Sequence, residues 1–416
     1  MPDVHFTNLF AVALVALVAP LLLGLVPALR IPAVVLEIVV GIALGPHALG
    51  LVDVDLPVQI VALLGLGFLL FLAGLEIDVH RLRGRVLRMA LLGYLITLAL
   101  GGLAGAGFSA AGWVHSPYLL AVTLSATSLG LVVPVLKDAG QVDGQVGQST
   151  IAAASIADFA AVLVLSLLFS TEGGSAGERL VMVALFAILV AVAGFAVSTA
   201  GRSQRIGAAL VRLQDTTAEI RVRAAVVLLV AFVALAERFG LETILGAFLA
   251  GAVVGLVDRD STSHPQFRVK LAALGYGFLI PVFFVTSGLR LDLGGLLADP
   301  TALLRVPLFL VALLVARGVP AYLSIRTLGP RATSAVALLQ ATSLPFIVTA
   351  TQIGVTTGLM SAVTAAALTC AGLVSVLIFP AAALVLLKPA NRPPAGAGQE
   401  LAHKPSGRSE GDRDNG

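Results

Sequence analysis

The chain has 416 residues, 58% hydrophobic and only 12% charged, with a formal net charge of +3. Soluble domains carry roughly 45–50% apolar and about 25% charged residues, so water cannot be the solvent for most of this surface. The apolar runs are too long for the roughly ten-residue alternation of a membrane barrel, which leaves an all-α polytopic membrane protein.

Each span needs about 20 apolar residues. Breaking the runs at polar clusters predicts thirteen spans, near residues 6–28, 31–50, 58–78, 86–112, 117–137, 144–170, 180–200, 221–238, 241–257, 271–290, 301–325, 332–354 and 360–387. The first is read as a retained span, because Asp3 is its only early charge and no basic segment precedes it. From residue 389 onward Pro, Gly, Ser and mixed charges predict a disordered cytoplasmic tail without a lipidation motif. With the N-terminus outside a bacterial cytoplasmic membrane, this division places 21 of the 26 Lys and Arg on the cytoplasmic side. Asp53, Asp55, Glu172, Glu178, Asp292 and Asp299 fall outside. The positive charge is thus explained by topology, and a nucleic-acid partner is not expected.

The second half echoes the first. Gly41 and Gly45 in span two recur as Gly251 and Gly255 in span nine. Gly74-Leu-Glu-Ile-Asp78 recurs as Gly288-Leu-Arg-Leu-Asp292, and Ala126-Thr-Ser-Leu129 as Ala341-Thr-Ser-Leu344. The offsets are 210, 214 and 215 residues. Partners lie seven spans apart, an odd number, so the two repeats, about 6–170 and 221–387, are inverted in the membrane. Inverted repeats are typical of secondary transporters.

Chemistry is concentrated in spans five, six, eleven and twelve. Thr127 and Ser128 near Gly130, and Thr342 and Ser343 beside Pro345, place hydroxyls next to helix breakers at matched positions. Broken helices need such groups to satisfy freed backbone, and their exposed ends offer partial charges to ions. The alternative is two ordinary helices with back-bonded hydroxyls. Asp158 sits midway along span six, one turn after Ser155, among alanines that let another helix approach. An ionisable group at that depth requires a wet cavity or a partner. Such a carboxylate can bind a proton or a cation, and their competition is the simplest antiport mechanism; the alternative is a structural acid paired with an arginine. Position 373, the counterpart in the second repeat, is Leu373. Arg317 is the basic residue deep within span eleven. It is expected to brace the broken helices, or to pair with Asp158 when no cation is bound. Glu76 and Glu37 could line an inner funnel, although Glu76 could also only mark the interface.

The six histidines lack ligand spacing, Cys370 is alone, and no Walker A sequence occurs. No cofactor, metal site beyond a transported monovalent cation, ATP-driven step or enzyme activity is therefore expected.

Gly41-Ile-Ala-Leu-Gly-Pro46, Leu70 through Asp78, Ser125-Ala-Thr-Ser128, Ala157-Asp158, Leu245 through Gly251, Pro281 through Gly288, and Arg317-Gly318 together resemble the monovalent cation:proton antiporter-2 family. That family holds Kef-type potassium and sodium/proton exchangers, and the resemblance covers about residues 8–388. It implies a homodimer whose mobile core carries two crossed broken helices and an essential aspartate across the membrane in an elevator-like step. By match to the motif, Asp158 carries the ion and proton, with Thr127, Ser128, Thr342 and Ser343 bordering it. Ala157 stands where electrogenic relatives have a second aspartate, and Arg317 where they have a lysine. Both departures remove a second proton carrier, which implies electroneutral exchange of sodium or potassium for protons. The competing readings are an organic-anion symporter, for which Arg317 is the available basic group, and a channel-like or sensory membrane protein.

Overall fold

The computed structural model describes residues 5–26, 31–76, 84–138, 140–142, 144–169, 177, 181–182, 184–192, 219–257 and 265–387. The predicted basic loops around 77–83 and 193–218, Asp78, Glu172, and the tail from 389 lie outside them.

The described chain is helical. Its helices are α1 (Thr7–Leu25), α2 (Ala33–Leu44), α3 (Leu56–Leu75), α4 (Gly84–Ala110), α5 (Pro117–Thr123), α6 (Leu129–Asp138) and α7 (Gln145–Phe169). After a partly described helical stretch at 184–192 come α8 (Ile220–Arg238), α9 (Thr243–Val257), α10 (Pro265–Leu274) and α11 (Ile280–Leu289). The chain continues through α12 (Leu293–Ala298), α13 (Pro300–Gly318), α14 (Ile325–Leu328), α15 (Pro330–Gln340), α16 (Pro345–Thr356) and α17 (Ala362–Leu387). Among the described residues, eight helical stretches are long and apolar enough to cross a membrane, with α2 and most of α9 as shorter apolar helices. Every predicted span within the described residues contains helix, but span seven is described only in part.

Local sequence explains the breaks. Arg238 ends α8 because Gly240 turns the chain at φ +63°, a conformation with no steric cost for glycine. Between α10 and α11 the helix widens into a π-turn over Gly275–Leu279, just before Pro281. Proline cannot donate the next helical bond and its ring crowds the carbonyl four residues back, which widens the turn. Span ten therefore begins at Pro265, earlier than the predicted 271, and α12 is a short helix that apolar periodicity did not predict.

The helices pack in two groups. In one, α3 lies against α9 and α11, α2 against α11, and α8 against α9; in the other, α4, α5, α7, α13, α15 and α17 pack on one another. Glycine makes the closest approaches in the first group. A Cβ on Gly41 would meet the Val285 carbonyl of α11, and one on Gly288 would meet the Ile38 carbonyl of α2. Likewise Gly251 abuts the Phe71 carbonyl of α3, and Gly74 abuts the Phe248 carbonyl of α9. Replacing 41 by 251 and 74 by 288 turns one crossing into the other, so the repeat read in sequence is also a repeat of contacts. Gly45 against Leu289 and Gly255 against Leu75 extend the same relation, with would-be Cβ to carbonyl distances of 2.9 and 3.0 Å.

Candidate functional site

Two helices of the second group are interrupted. The chain leaves helical geometry after Thr123 and resumes it at Leu129; it leaves again after Gln340 and resumes at Pro345. Proline at position 345 suits the first turn of a new helix, where its missing N–H costs nothing. The two unwound segments cross and hold one another. The Ser128 amide donates to the Thr342 carbonyl at 2.9 Å, and the Thr127 hydroxyl donates to the Gln340 carbonyl at 2.6 Å. Backbone groups freed by both breaks are thus satisfied within protein, as a membrane interior requires.

Asp158 on α7 reaches this crossing. Its Oδ1 accepts from the Thr127 amide at 2.9 Å, and its side chain stays part-exposed while Ala157 beside it is fully buried. Thr127 lies just before the N-terminus of α6, where partial positive charge favours a carboxylate. Arg317 meets the opposite pole. It is 2% exposed, and its Nε donates to the Gln340 carbonyl at 3.3 Å, where α15 ends and partial negative charge gathers. Nε also donates to the Thr127 hydroxyl at 2.9 Å, Nη2 donates to the same oxygen, and Nη1 reaches Thr97 on α4 at 3.4 Å. No ion pair joins Arg317 to Asp158 directly. Thr127 stands between them, its amide on the carboxylate and its hydroxyl on the guanidinium. Arg317 thus contacts both broken helices, through Thr127 on one and Gln340 on the other.

The other predicted residues fall around this centre unevenly. Ser128 and Thr342 meet through their backbones, and the Thr342 hydroxyl turns back to its own helix at the Leu338 carbonyl, 3.1 Å away. Ser343 is fully buried, and its hydroxyl has no hydrogen-bond partner among the described residues. Ser155 is buried one turn before Asp158. Glu76 caps the C-terminal end of α3, exposed, within electrostatic reach of Asp158, Arg268 and Tyr276. Tyr276 also approaches the first broken helix, since a Cβ on Gly130 would come within 3.3 Å of its hydroxyl. Glu37 is elsewhere, 4% exposed on α2, and among the described residues it makes no hydrogen bond or ion pair.

Two contributors were missed in the sequence. Ser375 of α17 accepts from the Ser343 amide at 3.2 Å and donates to the Ser343 carbonyl at 3.1 Å, alternatively to Gly372 at 2.7 Å. Ser375 does for the second break what Asp158 does for the first, two residues beyond the predicted counterpart at 373. Tyr94 on α4 shares a hydrogen bond of 3.2 Å with Ser125 in the first unwound segment. A lone Ser or Tyr in an apolar helix carries no signal of such a role.

Inverted repeats, crossed broken helices and an intramembrane carboxylate define a secondary transporter fold. Residues 13–388 match the sodium/hydrogen exchanger transmembrane family, and the chain belongs to it. This is a slightly different branch from the Kef-type one that the motifs resemble, though both are cation:proton antiporters, and the family is one of transporters. YjbQ of Bacillus subtilis, named as a Na(+)/H(+) antiporter, is 33% identical over 85% of this chain and 58% of its own length. The Na(+)/H(+) antiporter of Enterococcus hirae is 30% identical over 63% of this chain and 67% of its own. NhaS5 of Synechocystis, also a Na(+)/H(+) antiporter, is 32% identical over 79% of this chain and 45% of its own. The chain thus spans about half the length of the first and third of these relatives. In fold it is similar to the sodium proton antiporter MjNhaP1 of Methanocaldococcus jannaschii, with a TM-score of 0.65 at 16% identity over 92% of this chain and 98% of that one.

Proposed function

We propose that this protein exchanges a monovalent cation, sodium or potassium, for protons at Asp158. The observation that carries this reading is a part-exposed carboxylate at the crossing of two broken helices, without a direct cationic partner among the described residues. Such a carboxylate holds a proton or a cation but not both. Hydroxyls and carbonyls of the unwound segments, with Ser155, Thr127, Ser128, Thr342 and Ser343 nearest in sequence or space, supply further oxygens for a dehydrated cation. The names of the relatives favour sodium; the geometry of the site fits either ion.

Exchange is one-for-one and electroneutral. Ala157 cannot titrate, and Arg317 keeps its charge throughout, so Asp158 alone changes its load. Alternating access comes from movement of the α4–α7 and α13–α17 group against the α1–α3 and α8–α11 group. Phe159 meets Phe248 with ring centroids 5.9 Å apart, and Gln352 donates to Ser287 at 3.1 Å beside a cavity of about 120 Å³. Two protomers joined through the α1–α3 and α8–α11 group would hold that group still while the group carrying Asp158 and the broken helices moves. The chain sits in the bacterial cytoplasmic membrane with its N-terminus outside and its C-terminus in the cytoplasm.

Everted vesicles carrying a fluorescent proton indicator test this reading. Sodium or potassium should dequench wild-type vesicles, and Asp158→Asn should abolish the response. A response retained in the variant, or absent for both cations from pH 6 to 9 with protein in the membrane, would reject it in favour of the symporter or sensor alternatives.

A further inference from the structure

A second cavity reaches the site from behind. Its volume is about 210 Å³, and it lies among α4, α7, α15 and the 3-10 turn Val319–Ser324 that follows α13. Tyr94, Ser149, Ala153, Ser324, Gln340 and, at its inner end, Arg317 line it. The lining residues on α7 lie on a different side of that helix from the carboxylate. Ala152 and Ala153 are six and five residues before Asp158, and at about 100° per residue they point some 120–140° away from it. Asp158 itself does not line the cavity, which meets α7 on a different side.

Its chemistry is one-sided. Among mostly apolar side chains, its polar lining is hydroxyl, amide and guanidinium, and no acid lines it among the described residues. Arg317 is a permanent cation at mid-span with no carboxylate in contact among the described residues. It has five N–H donors, and its acceptors among the described residues are Thr127, Gln340 and Thr97. A buried charge of this kind requires water or a counter-ion, and the cavity has room for several water molecules. Exposed Arg326 lies between two lining residues, Ser324 and Thr327, and adds positive charge at the mouth.

We propose that this cavity is an aqueous crevice, open to the cytoplasm, that admits small soluble anions such as inorganic phosphate to Arg317. Only the side of opening rests on the orientation given above. An anion there would offset the guanidinium charge that Thr127 holds beside Asp158, so cytoplasmic anions would tighten cation binding without touching the carboxylate.

The test needs no transport. Ala153→Cys is made in a Cys370→Ala background, with Arg326→Cys as an exposed control. Everted vesicles are treated with impermeant thiol reagents carrying either a sulfonate or a trimethylammonium group. The sulfonate is expected to react at Cys introduced at 153 about five-fold faster than the cation, relative to their rates with free thiol. Inorganic phosphate should slow the sulfonate, and Arg317→Gln should bring the two rates together. Should Arg317→Gln not fold, phosphate protection alone decides. No labelling at 153 while position 326 reacts would show a sealed cavity, and equal rates without phosphate protection would show water without anion preference; either overturns the proposal. Labelling with this preference in right-side-out vesicles alone would keep the crevice and reverse the orientation, leaving the exchange reading untouched.

Discussion

Thr127→Val separates the two jobs that Thr127 performs. Valine keeps the volume and the backbone amide, so the 2.9 Å bond to Asp158 can remain. It removes the hydroxyl that accepts from Arg317 Nε at 2.9 Å and from Nη2, and that donates to the Gln340 carbonyl at 2.6 Å. Arg317 is left with the long contacts, 3.3 Å to Gln340 and 3.4 Å to Thr97. Hydrogen bonds to charged groups contribute about 1.5–3 kcal/mol each, and an under-satisfied buried charge raises the loss further. The expected cost is about 3–5 kcal/mol. Thr127→Ser loses only a methyl group, about 1 kcal/mol. Thermal unfolding of the detergent-purified protein, followed by size-exclusion chromatography, should rank wild type and Thr127→Ser together and Thr127→Val well below. Equal midpoints for the Val and Ser variants would refute the view that Arg317 braces the crossing through this hydroxyl.

Gly251→Ala and Gly288→Ala should each destabilise the fold by about 1–3 kcal/mol or more, because the new methyl meets the backbone of a neighbouring helix. Gly107→Ala on α4, with open space at its Cβ, should be neutral or stabilising in the same thermal assay. Ser375→Ala leaves the Ser343 amide and carbonyl without that partner and should cost about 1–3 kcal/mol. In proteoliposomes it should also lower apparent cation affinity more than maximal rate, whereas an equal loss in both would point to misfolding. With proton and cation gradients held fixed, imposing a membrane potential should leave wild-type turnover unchanged; potential-driven net exchange would sink the one-for-one stoichiometry.

Much of this was legible in the sequence because polar residues stand out in apolar helices. Asp158, Arg317 and the paired Thr-Ser segments could be read that way, and the glycine offsets led to the inverted repeat. The partnership of Thr127 with Arg317, 190 residues apart, was not legible, because sequence gives depth in the membrane but not which helices touch. Ser375 and Tyr94 were invisible for another reason: single hydroxyls in apolar helices usually bond back to their own backbone. The exposure of Glu76 and the burial of Glu37 depend on helix rotation, which a nearly uniform apolar run does not encode.

Competition between proton and cation for one carboxylate can be measured without a membrane. Purified protein in weakly buffered detergent, near the pH where it is active, is titrated with sodium and then potassium while released protons and bound heat are followed together. The account predicts at most one proton released for each cation bound, approaching one as the starting pH is lowered so that the carboxylate begins protonated, and neither release nor binding in Asp158→Asn. Cation binding with no proton release, or release that survives Asp158→Asn, would contradict it.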